Sequence, residues 1–281
     1  MDNEKLVDID KIVNEKAKNL PGFVRKMAAS YLKRIAHQDQ VNAEILKLKD
    51  RYENDFADGA FDIFSPKLTV EGLENVPKTG GCIIASNHPL GGLDGIIMMH
   101  VVGGEKKGIR KDIRFIVNDL LMHLKNFGSI FIPVNKLGKN PKEYLQNVDK
   151  LYASDACVLI FPAGLCSRKQ EEGIMDLEWN KGFITQSIKH KRDIIPCHIE
   201  GRNSNWFYNL SKIRTKLGIK FNIEMMYLVD EMFQQRGRDI KFVFGKPIPW
   251  QTFDKSKTPV EWAQVMKAHV YALGGKGALK F

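Results

Sequence analysis

Two residues in the N-terminal half of the chain have side chains that could act together as a general base. His88 and Asp94 lie in the stretch SNHPLGGLDG (residues 86–95), on either side of the pair Gly91-Gly92. An imidazole accepts a proton near neutral pH, and a neighbouring carboxylate fixes its tautomer and stabilises the imidazolium. Residues six apart on one continuous helix point in different directions, so the glycines would have to fold the chain back. The stretch predicts a general-base pair; the alternative is a purely structural histidine and aspartate.

The flanking sequence indicates which elements would carry this pair. Residues 82–85 (CIIA) form a short apolar run typical of a buried strand, and residues 96–102 (IIMMHVV) predict a helix. Pro89 and the glycine pair mark a tight loop between the two. His88 would then lie at the carboxyl end of a strand. Asp94 would lie in the first turn of a helix, where the exposed N–H groups favour a carboxylate.

Short apolar strands alternate with amphipathic helices from residue 68 onward. This alternation predicts an α/β fold, with a mostly parallel mixed sheet flanked by helices and with ligands at the carboxyl ends of the strands. We expect strands at 68–70, 82–85, 113–117, 130–132, 157–161, 194–199 and 240–244, and helices near 120–124, 141–153 and 259–273.

The N-terminal region differs from the rest. Residues 1–60 predict an amphipathic helical segment, and residues 61–281 an α/β domain. Residues 16–36 contain six Lys or Arg and no acidic residue, with apolar side chains at helical spacing. They could form a helix packed on the main domain, or a surface that lies on anionic lipid with Lys and Arg toward the headgroups. Residues 204–214, which are basic and aromatic, leave the same choice between a packed helix and an interfacial element.

The bulk composition limits the kind of partner and the compartment. The 281 residues include 43 Lys and Arg against 33 Asp and Glu, a net charge of +10. This charge favours an anionic partner, such as nucleic acid, an acidic membrane surface or a phosphorylated carrier. No apolar run approaches the roughly 18–20 residues that span a bilayer, and the acidic N-terminus is unlike a signal peptide. We expect a cytoplasmic protein, peripheral on the inner face of the cell membrane.

A second loop has the same organisation as the first. FPAGLCSR (residues 161–168) follows an apolar run and interrupts it with Pro162 and Gly164. Free N–H groups in such a turn can bind an anion or an oxyanion. A polar and aromatic cluster follows the loop and predicts either a capped helix start or part of a binding site: Asp176, Glu178, Trp179 and Lys181.

The first loop resembles a known family. NHPLGGLDG is similar to the first block of the glycerolipid acyltransferase family, which has Asn-His, a short spacer and Asp after a buried strand. The resemblance implies that His88 and Asp94 are the catalytic dyad. The usual spacer has four residues and this one has five. The assignment therefore requires the loop to absorb one extra glycine.

The other family blocks match in part. The third block is usually Phe-Pro-Glu-Gly-Thr-Arg-Ser, whose polar residues help to hold the phosphate of the acceptor. This chain keeps four of the block's residues, Phe161, Pro162, Gly164 and Ser167, and has Ala163, Leu165 and Cys166 in place of the other three. Arg168 could partly compensate for the lost polar residues. The second block usually ends in Arg; here GSIFIPVNK (residues 128–136) has none at that position, and Lys136 and Lys139 are the nearby cations. IPCHIEG (residues 195–201) matches the fourth block.

The blocks together, over roughly residues 67–250, are similar to one branch of the family. That branch includes proteins labelled hemolysins and the acyltransferases of ornithine and glycine aminolipids. The resemblance implies transfer of a fatty acyl group from acyl-CoA or acyl carrier protein to a lipid acceptor, with His88 as the general base and no bound cofactor. The altered phosphate-binding positions favour a lyso-aminolipid acceptor over a lysophospholipid. Substrate binding would fall to Asn87, Gly91, Gly92, Lys136, Phe161, Pro162, Gly164, Ser167 and Arg168.

Two other functions stay open from the sequence. A thioesterase or lipid hydrolase would use Cys166 or Ser167 as its nucleophile, although the chain has no G-x-S-x-G motif. A non-catalytic basic protein would bind anionic lipid at the membrane surface. We expect no nucleic-acid partner, because the basic residues are spread along the chain and no nucleic-acid-binding motif is visible. Nor do we expect a metal site, since the four cysteines lack ligand spacing. The remaining histidines are interpreted as ordinary surface or core residues: His37, His100, His123, His190, His198 and His269.

Overall fold

The chain folds around one large mixed sheet. A computed structural model describes residues 8–16, 18–19, 21–118, 124–134, 141–220 and 222–275. Within these residues seven strands form the sheet in the order β1-β9-β8-β2-β5-β3-β4, and β6 and β7 form a separate hairpin. The strands are β1 (Lys67–Glu71), β2 (Cys82–Ser86), β3 (Ile113–Asn118), β4 (Phe131–Val134), β5 (Cys157–Ile160), β6 (Arg168–Gln170), β7 (Gly173–Met175), β8 (Ile194–Glu200) and β9 (Asp239–Phe244).

Some helices come before the first strand of the chain, and others connect the strands and cover the sheet. They are α1 (Ile9–Lys16), α2 (Gly22–Ile35), α3 (Gln38–Lys47), α4 (Glu53–Phe64), α5 (Gly92–Gly103), α6 (Pro141–Ala153), α7 (Gly182–His190), α8 (Asn205–Lys216), α9 (Leu228–Gln234) and α10 (Pro259–Leu273). All sheet neighbours are parallel except β8 and β9. The predicted fold class, a mostly parallel mixed sheet flanked by helices with an N-terminal helical segment, is confirmed. Most of the predicted helix near 120–124 lies outside the described residues.

The two strands β2 and β5 at the centre of the sheet are almost entirely apolar, as expected where both faces of the sheet are covered. Every residue of β2 is buried. Side chains alternate along a strand, so Ile84 joins the core under α4 and α5, whereas Ile83 joins the core under α7 and α10. A continuous apolar run, rather than an alternating one, is what a parallel strand buried on both faces requires.

The order of the strands brings three loops to one edge of the sheet. β2 pairs in parallel with β5 on one side and with β8 on the other. The carboxyl ends of these three neighbouring strands therefore lie together, and the segments that follow them begin at residues 87, 161 and 201. This is the edge at which α/β sheets bind ligands.

The N-terminal helices combine packed and exposed faces. On α4, Phe56, Ala57 and Phe64 belong to the same buried core as β2. On α2, by contrast, the side chains of Phe23 and Met27 are each 70% exposed. The division at residue 60 stays a prediction. No helix in the described part of the chain is long and apolar enough to cross a membrane.

Candidate active site

His88 and Asp94 are in direct contact. The Nδ1 atom of His88 lies 2.9 Å from Oδ2 of Asp94, which also accepts a hydrogen bond of 2.8 Å from the backbone N–H of Leu90. The imidazole stacks on the ring of Phe161, with centroids 4.0 Å apart and planes inclined by 13°. With Nδ1–H donating to the carboxylate, the Nε2 atom presents its lone pair. The His88 side chain is 17% exposed, so this atom is the one left for a substrate.

The loop absorbs its extra residue at the glycine pair. Gly91 has φ 72° and ψ −132°, a backbone conformation open to glycine but strained for other residues, and α5 begins at the next residue. The backbone N–H of Asp94 donates to the carbonyl of Gly91 at 3.0 Å. The turn therefore closes before the first helical turn, and the five-residue spacer still delivers the carboxylate to the imidazole.

The two glycines also let another element approach. A Cβ atom on Gly91 would lie 3.0 Å from the side chain of Leu228, and one on Gly92 would lie 3.2 Å from the sulfur of Met232. Both contacts come from α9, which covers this loop. Substrate binding by Gly91 and Gly92 stays a prediction.

Burial shapes the electrostatics of the pair. Asp94 is fully buried, and burial raises the pKa of its carboxyl group above the ordinary value, while the hydrogen bond and charge of His88 lower it. The Oδ1 atom of Asp94 is buried without a hydrogen-bond partner among the described residues. One oxygen of the carboxylate is thus held by two N–H groups, and the other has no hydrogen-bond partner among the described residues.

Asn87 ties the loop to the neighbouring strand. Its Nδ2 donates to the carbonyl of Ile199 at 2.9 Å and its Oδ1 accepts from the N–H of Ile199 at 2.7 Å. Both polar atoms of the amide are used on β8. The geometry gives Asn87 a role in orienting the loop, and direct contact with substrate stays a prediction.

The second loop holds the backbone of His88. The N–H of Ser167 donates to the carbonyl of His88 at 2.7 Å, and Oδ1 of Asp176 accepts from the N–H of His88 at 3.2 Å. Pro162 turns the chain, and its carbonyl accepts two hydrogen bonds from Asn180. Gly164 has φ 68°, and its N–H donates to the carbonyl of Phe161. The loop after β5 therefore supports the loop after β2.

Arg168 is engaged in a buried ion cluster. Its guanidinium donates to Glu224 at 3.0 Å and to the carbonyl of Cys166 at 2.6 Å, and Glu224 also accepts from Arg214 at 2.8 Å. Glu224 is fully buried, so these partners compensate its charge. A role of Arg168 in substrate binding stays a prediction. Lys136 and Lys139 lie outside the described residues.

The two nucleophiles of the hydrolase alternative are poorly placed for attack. Cys166 is 1% exposed, and burial raises the pKa of its thiol to about 11, so it is protonated at neutral pH. Ser167 is equally buried, and its hydroxyl donates to Asp176 at 2.6 Å rather than to a histidine. In the described residues, neither side chain is hydrogen-bonded to a histidine or an amine, the bases that commonly activate such nucleophiles.

A second histidine–aspartate pair has nearly the same local geometry. Nδ1 of His100 lies 2.6 Å from Oδ1 of Asp58, and the imidazole stacks on Phe61 with centroids 4.0 Å apart. The other carboxylate oxygen of Asp58 accepts from the backbone N–H of Glu105. This pair joins α4 to the end of α5, away from the three-loop edge. The sequence did not reveal it, because its members are 42 residues apart and lie in two different helices.

Asp176 is the site residue that sequence reasoning placed least well. A helix does start directly after the cluster, since α7 begins at Gly182 with Lys181 at its N-cap position, but the predicted side-chain cap is absent. Asp176 instead follows the hairpin β6–β7 and reaches the backbone of His88. Among the described residues no group of three or more His, Cys, Asp or Glu could hold a metal ion.

Comparison with known proteins identifies the family. A family model described as acyltransferase matches residues 11–276. The chain is 47% identical to the lyso-glycine lipid O-acyltransferase of Bacteroides thetaiotaomicron, over 95% of this chain and 97% of that protein. It is 46% identical to the lyso-glycine lipid O-acyltransferase of Phocaeicola vulgatus, over 95% of each. A solved structure, the 1-acyl-sn-glycerophosphate acyltransferase PlsC of Thermotoga maritima, aligns with 98% of this chain and 92% of that one at 15% identity and a TM-score of 0.49. The chain belongs to the glycerolipid acyltransferase family and is an acyltransferase, as its sequence blocks predicted.

Proposed function

We propose that the protein transfers a fatty acyl group from a thioester, acyl-CoA or acyl carrier protein, to the hydroxyl group of a lyso-glycine lipid. The observation that carries this proposal is the contact between His88 and Asp94 at the carboxyl edge of the central strands, with Nε2 of His88 left for substrate. The names of the two relatives near half identity support the choice of acceptor.

The geometry supports a direct transfer in which His88 handles the proton. Nε2 takes the proton of the acceptor hydroxyl while that oxygen attacks the thioester carbonyl, so a C–O bond forms and a tetrahedral oxyanion develops. Asp94 stabilises the imidazolium through Nδ1–H. When the C–S bond breaks, the imidazolium returns the proton to the leaving thiolate. The product is the ester and a free thiol, and no covalent enzyme intermediate is needed.

The acceptor and donor are amphipathic, and the protein has a surface suited to a membrane. We name as the interfacial face the exposed apolar side chains of α2, of α8 and of the residue that follows α8: Phe23, Met27, Tyr31, Trp206, Ile213 and Leu217. The two helices meet at Tyr227, which contacts the rings of both Tyr31 and Trp206. Lysines and arginines flank this face on both helices. An anionic lipid surface would accept the apolar residues and pair with the basic ones.

The test is a reconstituted reaction with two donors and two acceptors. Purified protein is mixed with palmitoyl-CoA or palmitoyl acyl carrier protein and with vesicles that contain lyso-glycine lipid or lysophosphatidic acid, and the products are measured by mass spectrometry. We expect diacylated glycine lipid from at least one donor and little phosphatidic acid. Transfer to neither acceptor, with vesicle binding retained, would favour the non-catalytic alternative; release of free fatty acid alone would favour the hydrolase.

Vesicle sedimentation tests the interfacial face separately. The double variant Phe23→Ser with Met27→Ser should bind vesicles of anionic lipid about tenfold more weakly, because two exposed apolar side chains are lost. The matched control is Leu145→Ser, an exposed leucine of α6, which should bind as the parent does. Equal binding by both variants would rule out this face.

A further inference from the structure

His88 is held by its backbone as well as by its ring. The N–H of His88 donates to Oδ1 of Asp176 and its carbonyl accepts from the N–H of Ser167. The same Oδ1 atom accepts from the hydroxyl of Ser167 at 2.6 Å. Both polar groups of the His88 backbone are therefore paired with two residues that hydrogen-bond each other. A histidine fixed at ring and backbone has little freedom to move its Nε2 atom.

The carboxylate of Asp176 accepts hydrogen bonds from donors in three parts of the chain. Besides His88 and Ser167, the indole N–H of Trp179 donates to Oδ2 at 2.9 Å. Asp176 is fully buried. A buried carboxylate is costly unless it is hydrogen-bonded in this way. The position thus fits an acceptor of several hydrogen bonds and excludes an apolar side chain.

The backbone of Asp176 is anchored as well. Its N–H donates to the hydroxyl of Tyr271 at 2.7 Å, and its carbonyl accepts from Lys267 at 2.6 Å and from Gln170 at 2.7 Å. Tyr271 and Lys267 both lie on α10. The carboxylate is thereby held in a fixed position relative to the main core by α10, a helix that belongs to neither loop.

We propose that Asp176 is a positioning residue, which fixes the backbone of His88 through Oδ1 so that Nε2 meets the acceptor hydroxyl. This inference rests on the proposed function and adds a residue to it. The role is distinct from that of Asp94, which acts on the ring. A displacement of the imidazole by about 1 Å is enough to cost on the order of 10²-fold in rate.

The first test separates positioning from folding by kinetics and melting. Asp176→Ala should lower kcat for acyl transfer about 10²-fold and leave KM within about threefold, since the lost interaction matters in the transition state. The matched control is Gln264→Ala. It removes two hydrogen bonds to the backbone of Trp179 and leaves the carboxylate untouched. The control should lose thermal stability with little change in kcat. Equal kcat losses in the two variants would overturn the proposal.

A rescue variant covers the case in which Asp176→Ala does not fold. Asp176→Asn keeps an oxygen for His88 but places its amide N–H₂ against the indole N–H of Trp179, so two donors face each other. Adding Trp179→Phe removes that conflict. The double variant should recover kcat at least about tenfold over Asp176→Asn alone. A double variant no faster than Asp176→Asn would contradict positioning by the acceptor oxygen.

The ring nitrogens of His88 give a readout that does not depend on turnover. In ¹⁵N-histidine spectra, assigned by comparison with His88→Ala, the parent should show sharp ring signals of one Nδ1–H tautomer, which Asp94 sets. The Asp176→Asn variant should keep this tautomer but show broadened ring signals, because the displaced amide holds the backbone of His88 less rigidly. An unchanged signal counts against the inference. Full acyl transfer by His88→Ala would instead overturn the general-base role of His88, and no transfer by the parent protein would overturn the proposed function itself. Loss of transfer in His88→Ala with parental kcat in all Asp176 variants would overturn only the role of Asp176.

Discussion

The side-chain amide of Asn87 hydrogen-bonds both backbone polar groups of Ile199, as a neighbouring strand would. Nδ2 donates to the carbonyl at 2.9 Å and Oδ1 accepts the N–H at 2.7 Å. The chain leaves the sheet after β2, yet this residue extends the pairing with β8 by one more position. The His88 loop therefore departs from a fixed point.

Asn87→Ala should lower both the free energy of unfolding and the rate of acyl transfer. The change leaves the N–H and carbonyl of Ile199 buried without partners, at a cost of about 3 kcal/mol in the free energy of unfolding. Urea unfolding measures this cost. Asn75→Ala is the control, because Asn75 makes one comparable hydrogen bond to the carbonyl of Phe244, away from the site. It should cost about 1 kcal/mol and keep full activity. Equal effects of the two changes on activity would refute the orienting role.

Asp94→Asn should lower the activity of the protein and raise its stability, and the gain in stability should depend on pH. Burial raises the pKa of Asp94 in the folded state. The carboxyl group therefore favours folding when it is protonated, below its unfolded pKa, and this contribution is lost as pH rises through the folded pKa. The melting temperature of the variant relative to the parent should increase from acid to neutral pH, while kcat falls on the order of 10³-fold. A difference in melting temperature that does not vary with pH would contradict this account.

Gly91→Ala should cost more than the same change at another glycine with positive φ. Gly80 has φ 79° and open space around it, whereas a Cβ atom on Gly91 would press on Leu228. Gly80→Ala should cost about 1 kcal/mol through backbone strain. Gly91→Ala should cost about 2 kcal/mol more, because its backbone conformation is more strained and the side chain of Leu228 on α9 must shift. Chemical denaturation gives both values. Equal costs would mean that α9 does not restrain the loop.

Cys166 should be unreactive toward thiol reagents in the folded protein. Its pKa is raised to about 11, so little thiolate exists between pH 7 and 9, and the side chain is buried. All four cysteines are buried. Titration with a chromogenic disulfide should find no fast-reacting thiol in native protein and four after unfolding in guanidinium. Fast loss of activity with one equivalent of reagent at Cys166 would revive the hydrolase alternative.

The sequence predicted the parts of the site that are local in the chain. The apolar runs before residues 87 and 161 located two strand ends, and the glycine pair allowed His88 and Asp94 to meet, since only five residues separate them. Contacts between residues that are far apart in the sequence could not be predicted from it. Asp176 reaches His88 across 88 residues and Glu224 reaches Arg168 across 56. Such pairs depend on the order of the strands and on the hairpin β6–β7, which no periodicity predicted.

The most direct measurement compares two histidines of nearly equal geometry. His88 and His100 each contact an aspartate through Nδ1 and each stack on a phenylalanine at 4.0 Å, but only His88 lies at the three-loop edge. Single-turnover acyl transfer is measured for His88→Ala and His100→Ala at saturating acceptor. We predict a loss on the order of 10³-fold for His88→Ala and a rate within about threefold of the parent for His100→Ala. A His88→Ala protein that folds and retains more than about a tenth of the parental rate would contradict the account.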